Sequence, residues 1–210
     1  MGRLVAFGCS LTYGHGLPDC HVPPDQPGPF PSNYAWPSIV AAKLKIGVVN
    51  KGKPAASNEF ILSEVLAFPV EHSDIVVIFW SFYDRAMLYC TNSRLGVIPN
   101  SEDSFRRQLS EEYYRLHGDY DLFMQTALSI SHANLFLEKK QVPVYNFYFD
   151  TGLNERFTQY PDTPANSHKL NFLISEEMRI DVALDNRHPG VKSQELIAKN
   201  MLNIIKEKHD

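Results

Sequence analysis

Three side chains at the two ends of the chain could together make a nucleophile: Ser10, Asp185 and His188. A serine hydroxyl is a weak nucleophile at neutral pH and needs an adjacent base, which in turn needs an orienting partner. His188 supplies the base. Asp185 stands three residues earlier, so one tight turn can bring its carboxylate to the imidazole. There it would fix the tautomer and stabilise the imidazolium. Pro189 stiffens the exit from that turn and can start a helix. Bland roles exist for the same residues. Ser10 can cap a turn, and Asp185 can cap a helix that carries His188 on its first turn. Cys9 is a second potential nucleophile. Neighbouring side chains on extended chain point to opposite sides, so Cys9 is expected in the core.

The surrounding chain must hold these groups in place. Residues 3–7 are a short apolar run ending at Gly8, which reads as a buried strand. Residues 14–37 carry Pro18, Pro23, Pro24, Pro27, Pro29, Pro31 and Pro37. No helix or central strand survives that density, so a long irregular loop is expected there. A helix follows from about Trp36 to Lys45, then a strand over 46–50. Ser57 or Asn58 can cap a helix running to Phe68. The clearest buried strand is 74–80.

Helices are expected over 101–117 and 119–139. Phe105, Leu109, Tyr113 and Leu116 share one face of the first, and Phe123, Ala127 and Ile130 one face of the second. A strand over 142–149 comes next, then a loop-rich stretch with a weak strand at Leu170–Ile174. The last helix spans about Pro189 to Lys206. Strands alternating with helices predict an α/β sandwich with a parallel sheet. In such sheets ligands sit beyond the carboxyl ends of the strands.

Three strand ends are informative. The first gives Gly8-Cys9-Ser10-Leu11-Thr12, the second Asn50 to Asn58, and the third Ser81-Phe82-Tyr83-Asp84-Arg85. Gly8-Cys9-Ser10-Leu11-Thr12 resembles the first block of the SGNH/GDSL hydrolase superfamily, with Cys9 in place of Asp. Asp185-Asn186-Arg187-His188-Pro189 resembles its last block, and the two fall in the expected order. The resemblance implies a three-layer α/β/α, flavodoxin-like fold with about five parallel strands. It implies ester hydrolysis through an acyl-enzyme, with Ser10, His188 and Asp185 as the triad and with no metal or other cofactor. An oxyanion hole would draw on backbone N–H groups of Ser10 and of Ala55, with Gly52 as a second candidate. The third block departs from the family: Tyr83 stands where an Asn donor is usual. Losing one oxyanion donor costs roughly 100- to 1000-fold in turnover. Asn58, Ser81, Tyr83 and Arg85 are the candidates to compensate or to touch substrate.

Composition narrows the alternatives. The chain has 210 residues, 44% hydrophobic and 21% charged, with a net charge of -4. Its length suits one domain spanning 1–210. No basic stripe suggests nucleic acid, and no apolar run is long enough for a membrane span. Cys9, Cys20 and Cys90 are too sparse for a disulfide framework. The N-terminus has no signal-like apolar region, and Ala6 breaks a myristoylation pattern. A cytoplasmic protein, or one released without a signal, is expected.

His15, Cys20 and His21 cluster in the Pro-rich loop but lack a metal-ligand spacing. His15 and Tyr13 are candidates to line the mouth of the site. Trp36 and Trp80 are expected in the core, and His72, His117, His132 and His209 on the surface. The expected substrate is a small-molecule or carbohydrate ester, such as an O-acetylated sugar. The rival readings are a non-catalytic binding or virion-type structural module on the same fold, and an acyltransferase.

Overall fold

A computed structural model describes residues 2–90, 93–99, 104–148, 151–163, 170–172 and 175–207. In chain order its elements are β1 (Arg3–Gly8), α1 (Ser10–Tyr13), β2 (His21–Val22), β3 (Gln26–Pro27), α2 (Trp36–Leu44) and β4 (Gly47–Gly52). Then come α3 (Asn58–Ala67), β5 (Ile75–Trp80), β6 (Ala86–Cys90), β7 (Ser93–Val97), α4 (Ser104–Leu116) and α5 (Asp119–Lys139). The chain closes with β8 (Val144–Tyr148), α6 (Thr151–Gln159), β9 (Leu170–Phe172), α7 (Ser175–Met178) and α8 (Val191–Lys206).

Five strands form one sheet in the order β4-β1-β5-β8-β9, and every pairing in it is parallel. The predicted α/β sandwich with about five parallel strands is therefore the observed architecture. Counting sheet strands alone, the order is 2-1-3-4-5, the flavodoxin-like arrangement. The chain reverses direction across the sheet at β1, between β4 and β5. The crevice at such a switch point, beyond the strands' carboxyl ends, is where this architecture binds ligands.

The strand sequences explain the sheet. A parallel sheet is covered on both faces, so its strands read as continuous apolar runs. Leu4, Val5, Ala6 and Phe7 of β1 and Val76 to Trp80 of β5 are all buried. Arg3 anchors the start of β1 to the start of β5: its Nε and Nη2 donate to the two carboxylate oxygens of Asp74 at 2.9 and 2.8 Å. Trp36, Trp80 and Cys9 lie in the core, as predicted. Val40 and Ala41 of α2 and Ile197, Ala198, Met201 and Ile205 of α8 bury against the sheet.

Several local expectations are corrected. The last helix starts at Val191 rather than Pro189. Pro189 instead pairs with Val182 in an isolated antiparallel bridge. The Pro-rich segment is not wholly irregular, since β2 and β3 form a minimal hairpin within it. The antiparallel hairpin β6–β7 has no counterpart in the sequence reading. Neither does α6, which occupies part of the stretch read as loop. Helix α4 exists, but Phe105 and Leu116 of its predicted inner face are 66% and 74% exposed. Its only buried residue is Ser110. Amphipathic periodicity tells that a helix has an apolar face, not that the fold covers it. His117 lies at the surface, partly covered by stacking on Tyr113 with ring centroids 4.1 Å apart. Residues 101–103, 149, 173–174 and 209 fall outside the described residues. No helix among the described residues is long and apolar enough to cross a membrane.

Candidate active site

Ser10 opens α1 directly beyond the carboxyl end of β1. The turn is tight. A Cβ on Gly8 would sit 2.1 Å from Thr12 Oγ1 and 2.8 Å from the Phe79 carbonyl oxygen, so only glycine lets the helix fold back on the strand. Gly14 ends the helix in the left-handed conformation, with φ of 82°. The Ser10 carbonyl accepts the N–H of Gly14 at 2.9 Å and of His15 at 3.1 Å. Gln194 of α8 holds the helix from the far side: its Nε2 donates to the Leu11 carbonyl at 3.3 Å and its Oε1 accepts the Trp36 N–H at 2.9 Å.

Asp185 and His188 come from a short antiparallel turn in front of α8. The His188 carbonyl accepts the Ala183 N–H at 2.8 Å, and the Asp181 carbonyl accepts the Gly190 N–H at 3.1 Å. Asp181 also caps α8, accepting the backbone N–H groups of Lys192 and Ser193 at 3.0 and 2.8 Å. Asn186 completes the turn at φ 56°, a left-handed value that Asn tolerates. Asp185 Oδ1 accepts the N–H groups of both Arg187 and His188 at 3.0 Å. Its other oxygen, Oδ2, meets His188 Nδ1 at 2.5 Å.

The Asp185 side chain is fully buried, and that of His188 is 23% exposed. Burial pushes the Asp185 carboxyl up. The two backbone donors and the His188 imidazole outweigh burial and hold it down at about 2. Asp185 is therefore a carboxylate throughout the neutral range, able to orient and stabilise a charged imidazole.

The α1 loop and this turn meet. The Gly16 carbonyl accepts the Leu184 N–H at 2.9 Å. The His15 and His188 rings lie 4.6 Å apart at an interplanar angle of 30°. Burial first, and the neighbouring His188 second, push the His15 pKa down, against the opposing pull of Asp185 and Asp25. Arg187 pairs with Asp25 at 3.3 Å, which ties the turn to the Pro-rich loop. The loop is closed further by Tyr13, whose hydroxyl donates to the Gly28 carbonyl at 2.6 Å. Ser10 is buried as a residue, and its hydroxyl makes no hydrogen bond to His188 or to any other described residue.

The remaining candidates lie around the same crevice with different commitments. Ala55 sits in a turn closed by the Ala56 N–H and the Lys53 carbonyl, 3.1 Å apart. Its φ is 62°. Pro54 then Ala55 occupy the central positions of this turn, where a positive φ at the second normally selects Gly or Asn. Neither the Ala55 nor the Ser10 N–H is donated to another described residue.

The Gly52 N–H is donated to Asn50 Oδ1 at 2.9 Å, and a Cβ there would lie 2.5 Å from the Tyr13 nitrogen. Gly52 thus permits close packing of β4 on α1. Asn58 is fully buried and pairs its amide with the backbone of Ser81, accepting its N–H at 2.7 Å and donating to its carbonyl at 3.1 Å. The same amide donates to Thr126 Oγ1 at 3.0 Å. Ser81 Oγ accepts from Arg85, whose guanidinium stacks 4.7 Å from the Phe82 ring centroid. Tyr83 points its hydroxyl at Asp119, 2.7 Å away on α5, where Arg156 of α6 also pairs with Asp119. Burial and that carboxylate raise the Tyr83 pKa.

Sequence reasoning missed three positioning residues. Gly16, Asp181 and Gln194 act through backbone approach, capping and helix docking, and only the Gly-His-Gly pattern at 14–16 hinted at any of them.

Replacing Ala55 by glycine should stabilise the protein. The left-handed conformation costs an L-residue about 1–2 kcal/mol, while glycine's extra unfolded-state freedom returns about 0.5–1 kcal/mol of that. A net gain of roughly 0.5–1 kcal/mol is expected by denaturant unfolding, with the backbone N–H left in place.

No sequence-family profile matches the chain, and no curated protein matches it. Solved structures do. A member of the lipolytic G-D-S-L family from Veillonella parvula DSM 2008 superposes with a TM-score of 0.53 at 12% identity, covering 98% of this chain and 99% of that one. The M. smegmatis aryl esterase gives a TM-score of 0.55 at 12% identity, covering 99% of both chains. The acetyl xylan esterase Est2A of Butyrivibrio proteoclasticus gives 0.63 at 14% identity, covering 99% of this chain and 64% of that one. With the strand order and the site's place at the switch point, these likenesses establish that the chain has the SGNH/GDSL hydrolase fold.

Proposed function

We propose that this protein is a serine esterase in which Ser10, His188 and Asp185 carry the reaction. The observation that carries the reading is the part-buried Asp185–His188 pair, held by its own turn against the loop that follows Ser10. Ser10 Oγ attacks the ester carbonyl while His188 Nε2 accepts its proton. Asp185 keeps the proton on His188 Nδ1 and stabilises the imidazolium. The Ser10 and Ala55 N–H groups, both undonated, receive the oxyanion. His188 then protonates the leaving alcohol, and water resolves the acyl-enzyme by the same path in reverse. The missing hydrogen bond between Ser10 and His188 fits a site without substrate, where such contacts are commonly long.

The substrate class we favour is an ester of a small acyl group, with an O-acetylated carbohydrate as the leading case. The fold's neighbours include an acetyl xylan esterase and a family two carbohydrate esterase from Clostridium thermocellum solved with cellohexaose. A binding module on the same fold is the second reading. It is favoured by the unbonded Ser10 hydroxyl and by Tyr83, whose hydroxyl is engaged with Asp119.

One experiment separates them. Wild type should hydrolyse p-nitrophenyl acetate and be labelled at Ser10 by a fluorophosphonate. Ser10→Ala should lose more than about a thousandfold in turnover and all labelling. Equal rates in the two proteins would sink the esterase reading, and folded wild type that resists labelling would favour the binding module.

A further inference from the structure

His15 lies tilted against His188, with ring centroids 4.6 Å apart, and adds a third metal-ligand side chain beside the Asp185–His188 pair. One ring nitrogen of His15, one of His188 and one carboxylate oxygen of Asp185 all lie within 4.8 Å of one another. His15 Nε2 is buried and has no hydrogen-bond partner among the described residues. A buried polar nitrogen left unpaired costs free energy, and a bound cation would satisfy it. Two imidazoles and a carboxylate suit zinc and its neighbours in the transition series rather than magnesium or calcium, which prefer all-oxygen sites.

The support around the donors matches as well. Ligating carboxylates are normally held by further hydrogen bonds, and the second oxygen of Asp185 already accepts two backbone N–H groups. The partial exposure of His188 gives an ion a path from solvent.

We propose that a divalent ion of the Zn²⁺ type binds His15, Asp185 and His188 and reversibly switches the site off. The inhibitory part rests on the esterase reading; the binding part does not. Either nitrogen of His188 serves the reaction, Nε2 as proton acceptor and Nδ1 as the anchor to Asp185. A metal that takes either one removes the base. Apart from the metal–ligand bonds, the only bond that can break is a ring N–H at the nitrogen the metal takes, and its proton passes to the other ring nitrogen or to solvent. His15 then supplies the extra donor that converts an ordinary Asp–His pair into a three-ligand site.

The test titrates the full chain with Zn²⁺ alone by calorimetry and follows fluorophosphonate labelling of Ser10 with and without the metal. Wild type should bind one equivalent. Saturating metal should slow labelling at least about tenfold, and a chelator should restore it. His15→Asn and His15→Gln, each confirmed as folded by circular dichroism, should bind at least about tenfold more weakly and label at a rate that the metal no longer changes. Undiminished affinity in both variants would overturn the site, as would an absence of binding by wild type. Labelling that fails even without metal would count against the esterase reading instead, with calorimetry still deciding whether the site exists.

Discussion

Asp185→Asn is expected to lower kcat on p-nitrophenyl acetate by about ten-thousandfold while leaving the fold nearly as stable as wild type. The two effects separate because the two carboxylate oxygens do different jobs. Oδ1 accepts the backbone N–H groups of Arg187 and His188, and an asparagine carbonyl oxygen can keep both bonds. Oδ2 faces His188 Nδ1. An amide NH₂ placed there can only donate, so the imidazole must turn its lone pair toward residue 185 and its proton toward Ser10. That tautomer cannot accept the serine proton. Asp185→Ala makes the contrast, because it also strands the two backbone donors, each worth about 1–3 kcal/mol when left buried and unpaired. Steady-state kinetics with thermal unfolding on both variants checks the separation. Equal losses of stability would show that Oδ1 does not hold the turn, and a kcat within tenfold of wild type in Asp185→Asn would remove Asp185 from the reaction.

What the sequence revealed and what it hid follow from the range of the interactions concerned. The sheet was legible because parallel strands buried on both faces leave uninterrupted apolar runs, as 75–80 does. The Asp185–His188 pair was legible because its geometry is local, three residues and one turn. The hairpin β6–β7 was not. Its strands carry Met87, Leu88 and Tyr89 beside Arg94 and Gly96, a pattern without clean alternation. Helix α4 was legible as a helix but not in its orientation, because exposure of Phe105 and Leu116 depends on which elements fail to cover them.

The crevice shows the same division. Asn58 and Tyr83 are polar residues next to strand ends, which is all that a sequence can say. The structure commits the Asn58 amide to the Ser81 backbone and the Tyr83 hydroxyl to Asp119 on α5. Both partners are long-range, at separations of 23 and 36 residues. Tyr83 is taken into a Tyr83–Asp119–Arg156 cluster that ties the end of β5 to α5 and α6. On the esterase reading, the oxyanion hole then depends on two backbone donors, and a modest turnover number is the physical consequence.

Gly16→Ala is expected to be the most damaging small substitution in the Pro-rich segment. It should cost at least about a hundredfold in kcat and about 2 kcal/mol or more of stability. Gly16 has a φ of 83°, so any side chain there is strained. A Cβ would also stand 2.5 Å from Asp185 Oδ2 and 2.6 Å from Asp185 Cγ. The Gly16 carbonyl receives the Leu184 N–H, so the loop cannot retreat without pulling on the Asp185 turn. The added methyl must therefore move the carboxylate that orients His188. Gly14→Ala is the control. Gly14 has a nearly identical φ of 82°, but its Cβ would meet Ser32, Ala35 and Leu17 rather than Asp185. Both variants should lose stability in denaturant unfolding, whereas only Gly16→Ala should lose kcat out of proportion to the folded fraction. Parallel losses in the two would mean that the glycines serve the loop alone. A selective loss at Gly16 would tie the Pro-rich segment to catalysis through one contact, the backbone that packs against Asp185.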